Sequence, residues 1–350
     1  MAELQADISW REALMERGAR FEDGRVVDFD GFGQQPRHAQ SPFIIPLLQE
    51  GLILTSGEDA EAFLQGQLSN DVTQVSARQG QPAAYCSPKG RALATLLLWL
   101  MDGSYALQLP RELAEPIARR LKMYILRSQV RLAVVSDQVV LIGVTGAESA
   151  RLVREELGIS LVSVYEAGSA NGVTAIALPG DRIQVVAAAE RGGEIWDRLA
   201  RRGVPAGQST WDQISIANGI PSLAAATQDQ FVPQMLNLEL IGGVSFTKGC
   251  YPGQEIVARS QHLGQVKRRL ARFASAEPAR AGDPVLAAGQ RVGTVVNAAL
   301  SARAGWELLA VVQIDAGATL RLRTDGPTLQ PLPLPYALPG ASADNLADRG

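Results

Sequence analysis

Phe246-Thr247-Lys248-Gly249-Cys250-Tyr251-Pro252-Gly253-Gln254-Glu255-Ile256-Val257-Ala258-Arg259 is the stretch on which the reading of this chain turns. Pro252 suits the first position of a helix, because its missing N–H would be unpaired there in any case. Gln254 and Glu255 then fall in the first turn, with Cys250 just ahead of it. Free N–H groups and the helix dipole stabilise an anion at such a place, and Lys248 adds a positive charge two residues away. Both lower a thiol's pKa, so one reading is a nucleophilic or metal-ligating sulfur. Tyr-Pro-Gly is equally a type II turn sequence, and a lone cysteine is commonly a small buried hydrophobe. Local chemistry leaves the two readings side by side.

Outward from this stretch, strands and helices mix without a regular βαβ rhythm, which favours α+β over a doubly wound sheet. Residues 7–19 carry an amphipathic pattern. Phe63, Leu64 and Leu68 repeat at helical spacing, so a short helix delivers Ser69-Asn70-Asp71 into a loop. Ala92–Met101 reads as a buried strand, Asp102-Gly103 as a two-residue turn, and Tyr105, Leu107 and Leu109 as the alternating return strand. Pro116 is placed near the start of a helix running to Ile125. Strands are expected around 129–135 and 138–144, then a helix around 147–157, further strands to about 189, and helices near 191–202 and 208–217. Past Arg269, recurring glycines and short alternating runs such as Arg291 to Val296 predict a small antiparallel β-barrel. From about 327 the chain is proline-rich and reads as a loosely held or disordered tail.

The chain has 350 residues, 46% of them hydrophobic, and a formal net charge of −3. Two or three packed domains are the natural expectation at this length. Near-neutral charge excludes a global basic field, so no direct nucleic-acid binding is expected, although a local basic groove is compatible with it. The acidic first thirty residues argue against a transit peptide. The longest apolar run, Leu93 to Met101, is about half a membrane span. With only Cys86 and Cys250, a disulfide scaffold is excluded. A soluble cytoplasmic protein with no membrane partner is the expectation.

The signature stretch resembles that of the YgfZ-type folate-binding family, whose pattern is Lys-Gly-Cys-aromatic-any-Gly-Gln-Glu; Lys248, Gly249, Cys250, Tyr251, Gly253, Gln254 and Glu255 match it. Phe63 to Val72, Ser87-Pro88-Lys89-Gly90-Arg91, Asn218-Gly219-Ile220-Pro221 and Phe231-Val232-Pro233-Gln234 resemble further family blocks in order, so the similarity runs from about 40 to 325. The family is related to the glycine cleavage T-protein aminomethyltransferases. That relationship implies a three-lobed α+β fold around a central folate-sized cavity, with a C-terminal antiparallel β-barrel. In those terms residues 1–40 are an N-terminal extension, and 41–135 with 205–268 form the folate-binding core. Residues 136–204 are an α+β lobe, 269–326 the barrel and 327–350 the tail. The implied function is tetrahydrofolate-dependent help in assembling or repairing iron–sulfur clusters, which indirectly supports tRNA thiomethylation. Iron–sulfur proteins or their assembly machinery would be the partners. A folate-dependent aminomethyl transferase and a non-enzymatic adaptor are the alternatives, and independent turnover is left open.

The resemblance also implies roles residue by residue. Cys250 is the reactive group beside Lys248. Asp71 matches the position where T-protein-like enzymes hold an aspartate near the folate nitrogens; as plain chemistry it is also a turn residue after a helix. Lys89 and Arg91 flank Gly90 and suit a folate's glutamate tail, or an ordinary exposed turn. Tyr251, Gln254, Glu255 and Arg259 belong to the signature and are assigned to the folate site. The family relation predicts a pteridine-holding glutamate two residues after Pro233, where this chain has Met235. Asn237 or Glu239 are the candidates to compensate. Ser215 stands where relatives often show arginine. Cys86 is expected to be packed. With His38 and His262 as the only histidines, the chain cannot supply four ligands for a resident cluster, and no metal site is expected.

Overall fold

The computed structural model describes residues 10–30, 41–262, 266–301, 305–317 and 319–339. Helical residues 10–16 (α1) lead into a hairpin of β1 (Ala19–Glu22) and β2 (Arg25–Phe29). β3 (Phe43–Pro46) and β4 (Glu50–Ser56) follow, then the short α2 (Ala60–Gln65). Next come β5 (Gln81–Cys86), β6 (Ala92–Met101) and β7 (Ser104–Pro110). Asp102 and Gly103 both take positive φ between β6 and β7, as an Asp-Gly hairpin turn requires. α3 (Arg111–Lys122) leads to β8 (Arg131–Val134). This helix starts before Pro116 rather than at it. Pro116 is exposed in the helix interior, so its missing N–H and ring sit on the solvent side.

The second stretch comprises β9 (Val139–Thr145), α4 (Ser149–Leu157), β10 (Ala167–Ala170), β11 (Val173–Leu178), β12 (Arg182–Ala188), α5 (Gly192–Ala200) and β13 (Val204–Pro205). One sheet has the order β5-β6-β7-β4-β8 and another β10-β11-β12-β9-β3-β13. β3 thus hydrogen-bonds to β9 and lies in the second sheet, although residues 43–46 fall within the 41–135 span.

Alternation decides which face each side chain covers. In β9, Ile142 and Val144 join Leu152 of α4, Ile195 and Trp196 of α5 and Leu14 of α1, while Leu141 faces the first sheet. In β6, Leu96 and Leu98 pack with Leu113 and Ile117 of α3, while Trp99 points the opposite way to meet Ile176 and Val186. The result is helices, sheet, sheet, helices, with the two sheets back to back. The N-terminal segment belongs to this core, since Trp10, Leu14, Val26 and Phe29 are all buried in it.

α6 (Gln208–Ala217) and α7 (Gln254–His262) precede β14 (Arg268–Ser275), β15 (Pro284–Ala287), β16 (Gln290–Ser301), β17 (Gly305–Gln313) and β18 (Gln330–Leu332). These last five strands form one antiparallel sheet, ordered β15-β16-β17-β14-β18. The expected closed barrel is therefore corrected to an open sheet among the described residues. No ladder joins β15 to β18; single bridges at Leu286–Arg321 and Arg321–Thr328 lie between them. Pro331 sits within β18 and lacks a donor, which limits further laddering at that edge.

The prolines near the C-terminus were also misleading. Instead of a loose tail from 327, β18 pairs with β14, and the Tyr336 hydroxyl donates to the Gly219 carbonyl at 2.9 Å. Gly219 is at φ +64°, and a Cβ there would stand 2.5 Å from that hydroxyl. Residues 340–350 lie outside the described residues.

Candidate functional site

The signature begins with a turn, not a helix. Gln254 N–H donates to the Tyr251 carbonyl at 3.1 Å and Gly253 has φ +78°, which makes Tyr251–Gln254 a type II-like turn with Pro252 at its second position. The helix α7 starts at Gln254, two residues later than a proline-first helix would. Gly253 is required by contact as well as by φ. A Cβ there would meet Gly90 N and Ser87 O at 2.4 Å each. A Cβ on Gly90 would in turn meet Ile256 at 2.8 Å. Two sequence blocks far apart in the chain, Ser87–Arg91 and the signature, are thus brought together backbone against backbone.

On the other flank, Lys248 is buried. Its Nζ donates to the carbonyls of Gln65 (2.7 Å), Leu68 (2.7 Å) and Asn70 (2.8 Å). Burial pushes its pKa down to about 8, and the nearby Asp71 carboxylate opposes this. Three carbonyls need three ammonium protons. The lysine therefore acts as a cap on the end of α2 and the loop after it, and all three of its protons are engaged there. The ammonium also lies 5.4 Å from the centroid of Tyr251, whose ring is buried.

Between these anchors Cys250 is exposed. Asp71 is half-buried and held below the usual carboxylate range, first by the Thr73 hydroxyl and then by Gln65. It accepts from Thr73 Oγ1 at 2.7 Å and Gln65 Nε2 at 2.9 Å, the pattern of a local turn. Its neighbour Asn70 donates to Pro82 O and Gly242 O, and Ser69 Oγ donates to Gly243 O.

The remaining candidates are spread out. Lys89 and Arg91 are exposed, and Arg91 donates to the Asp229 carbonyl at 3.1 Å. Glu255 and Arg259 are exposed on α7, and Gln254 is half-buried. Asn237 and Glu239 turn inward to Arg269, whose Nη1 donates to Asn237 Oδ1 at 3.2 Å and to Glu239 Oε1 at 2.6 Å. The buried ion pair engages Glu239 through Oε1, while Glu239 Oε2 is buried with no hydrogen-bond partner. Cys86 is buried, and burial pushes its thiol up to about 12, as expected for packing. His38 and the side chain of His262 lie outside the described residues. Among those described, no group of three or more His, Cys, Asp or Glu is placed to hold a metal. No described helix is long and apolar enough to cross a membrane.

A cleft of roughly 120 Å³ lies where the two sheets meet α6 and the 220–241 segment, and neither Cys250, Lys248, Asp71 nor any residue assigned to the folate site from the sequence lines it. Its polar wall is Glu50, Gln108, Tyr165, Arg182, Gln184 and Ser215, beside Trp211. Gln184 Nε2 donates to Gln108 Oε1 at 2.5 Å, and Gln108 Nε2 to Glu50 Oε2 at 3.0 Å. Burial raises the Glu50 carboxyl. Burial lowers the Arg182 guanidinium to about 10, against the pull of Tyr165, Glu50 and Asp212. The guanidinium lies over Trp211 at 4.7 Å and donates to Ser215 Oγ, so a cation does reach position 215 on α6, from β12. Gln184 Oε1 is buried with no partner. The sequence held a signal for this wall. Arg182 and Gln184 alternate with Ile183 and Val185, which puts two polar side chains on the inner face of a strand.

The signature loop and the cleft share a wall. Asn70 is tied to Pro82, which lines the cleft, and Gln81 Nε2 donates to the Asp71 carbonyl at 2.9 Å.

No protein-family model matches the chain. It is 33% identical over 321 residues to the tRNA-modifying protein YgfZ of Klebsiella pneumoniae (strain 342), covering 88% of this chain and 97% of that protein. Identity to the protein of the same name from Escherichia coli (strain SE11) is 33% over 318 residues, covering 87% and 97%. Among solved structures, the glycine cleavage system aminomethyltransferase T from Bartonella henselae matches with a TM-score of 0.76 over 93% of this chain and 96% of that one, at 16% identity. The α+β, aminomethyltransferase-like fold implied by the sequence is the fold found here.

Proposed function

Because the chain belongs to the family of the tRNA-modifying protein YgfZ, we propose that it is a tetrahydrofolate-binding accessory protein for iron–sulfur cluster assembly or repair, with Cys250 as its reactive or ligating thiol. One observation carries the reading: the sulfur is exposed on a loop fixed at both flanks. Lys248 is tied to three carbonyls on one side, and Gly253 is wedged against Gly90 on the other. An exposed thiol on a pre-set loop meets a partner's metal or sulfur without ordering a segment first. Serving iron–sulfur proteins in the cytoplasm is part of the same reading.

Replacing Cys250 with alanine in a strain lacking the protein is expected to leave cluster-dependent tRNA thiomethylation at the level of the empty strain. The purified variant should melt within about 0.5 kcal/mol of wild type, since the side chain is exposed. Wild-type levels of the modified nucleoside would reject the thiol's role.

The cleft supports the folate half of the reading. Its unpartnered Gln184 Oε1 and the Glu50 carboxylate suit the N–H donors of a pterin edge, and Arg182 suits a carbonyl or anion. Its volume is below the roughly 300–1,000 Å³ of whole-ligand pockets, so it suits the ring end of the molecule. Glu50, Gln108, Gln184 and Arg182 would hold that ring. Tetrahydrofolate itself supplies nucleophilic nitrogens for carrying a one-carbon unit. Asp71, Lys89, Arg91, Gln254, Glu255 and Arg259 stand apart from the cleft, and their part in this reading is confined to the outer face.

Titrating tetrahydrofolate against the purified protein, followed by Trp211 fluorescence, is expected to give saturable binding that weakens about tenfold in Gln184→Leu. No binding at high micromolar ligand would favour a non-enzymatic adaptor. Methylene-folate formed from an aminomethyl donor would favour a transferase.

A further inference from the structure

We propose that the end of α3 and the turn after it, residues 119–131, form a docking surface for an acidic protein partner that seats an apolar side chain against Leu126. From Pro116 to Ser136 the chain contains Arg119, Arg120, Lys122, Arg127 and Arg131 and no carboxylate, in a molecule of net charge −3. Several arginines elsewhere are matched to acids, as in Arg17–Asp197, Arg151–Glu155, Arg191–Glu194 and Arg272–Glu307, whereas others such as Arg91 and Arg291 are scattered singly. Among the described residues none of these five cations has such a partner. Acids border the segment at Glu115, one turn before Arg119 on α3, and at the turn where Gln129 donates to Asp59 and Glu58.

Basic residues in a last helical turn are ordinary complements of the helix dipole. What sets this end apart is the apolar surface among them. Met123 is 65% exposed, Tyr124 41% and Leu126 89%. Leu126 also sits at φ +48°, a conformation a branched side chain avoids. The turn is fixed, with Ser128 N–H on the Ile125 carbonyl at 2.8 Å, so the strained backbone holds Leu126 outward. Tyr, Met and Arg are the residue types enriched at protein interfaces. The exposed aliphatics favour a protein over RNA, because a leucine gains by entering a socket and nothing by facing phosphates. A second copy of this chain is disfavoured, since five cations would oppose five.

The position gives the surface a use. Arg120 and Tyr124 both act on the Tyr85 hydroxyl, Tyr85 pairs with Leu68, and the Leu68 carbonyl holds Lys248. This end of α3 is thereby linked, through Tyr85 and Leu68, to the loop that Lys248 caps. The inference itself does not require the reading of the thiol or the cleft.

The test is fluorescence anisotropy of the full-length protein with a labelled helical peptide bearing leucines on one face and glutamates elsewhere. The wild type is expected to bind it, and binding should weaken with salt. Arg119→Glu, Lys122→Glu and Arg127→Glu together should abolish it. Leu126→Gly should weaken it about tenfold or more while the thermal midpoint stays level or rises, because glycine relieves the positive φ. The proposal is overturned if the wild type does not bind, if Leu126→Gly binds as wild type, or if a peptide with glutamates replaced by serines binds equally. Transfer RNA that binds with higher affinity and is lost on the same charge reversals would also overturn it.

Discussion

Gly253→Ala is expected to destabilise the protein by about 4 kcal/mol or more and to abolish its support of tRNA modification. Two costs coincide at this position. The φ of +78° disfavours any Cβ, and the Cβ would stand 2.4 Å from both Gly90 N and Ser87 O. Neither neighbour is the far end of a flexible side chain, so the backbone itself must part. Parting it lifts the Cys250 loop off the Ser87–Arg91 turn. Two nearby glycines serve as controls in the same denaturant series. Gly249 has open space at its Cβ position, and alanine there should change stability by no more than about 0.5 kcal/mol. Gly242 has φ +75° but nothing within 4 Å, so alanine should cost about 1 kcal/mol, the strain alone. Equal effects at all three positions would show that the glycine-on-glycine contact is not what holds the loop.

Lys248→Met should cost about 3–5 kcal/mol, by leaving the carbonyls of Gln65, Leu68 and Asn70 without their shared donor. Methionine keeps most of the volume, so the loss reports on hydrogen bonding and not on a cavity. With its pKa lowered to about 8, the side chain is still mainly an ammonium at neutral pH and can serve all three acceptors. The sign against pH follows. Folding lowers this pKa below that of free lysine, so the unfolded chain holds more protons between about pH 8 and 10.5, and this group's contribution to stability rises with pH across that window. The slope should vanish in Lys248→Met. If urea melts of wild type and variant coincide at neutral pH, the lysine is no clasp, and its place in the signature belongs to the thiol.

The local parts of the architecture were legible because their signals are local. Ala92–Met101, the Asp102-Gly103 turn and the alternation to Leu109 gave a hairpin whose bounds match β6 and β7. Helices at 147–157, 191–202 and 208–217 followed from 3.6-residue periodicity. Long-range pairings were not legible. Nothing near Lys248 announces that its partners are the carbonyls at 65, 68 and 70, so it read only as a charge beside the sulfur. That Asn237 and Glu239 face Arg269 was hidden because the arginine lies some thirty residues on. Pro252 supported a turn and a helix start equally well. The contact of Gly253 with Gly90 decides between them, and that contact exists only in three dimensions. The β18 strand was hidden by prolines, which suppress a strand signal even where one face can still pair.

The clasp of Tyr336 on Gly219 has a consequence for the order of events during synthesis. Every residue lining the cleft lies between 50 and 241, yet the hydroxyl that pins the Asn218–Pro221 loop comes 117 residues after the glycine it holds. A growing chain can complete both back-to-back sheets while that wall is still unpinned. The cleft is then most accessible in the interval before the last strand docks. A protease cut just ahead of Gln330 in the finished protein would return it to that state, with both lobes still folded.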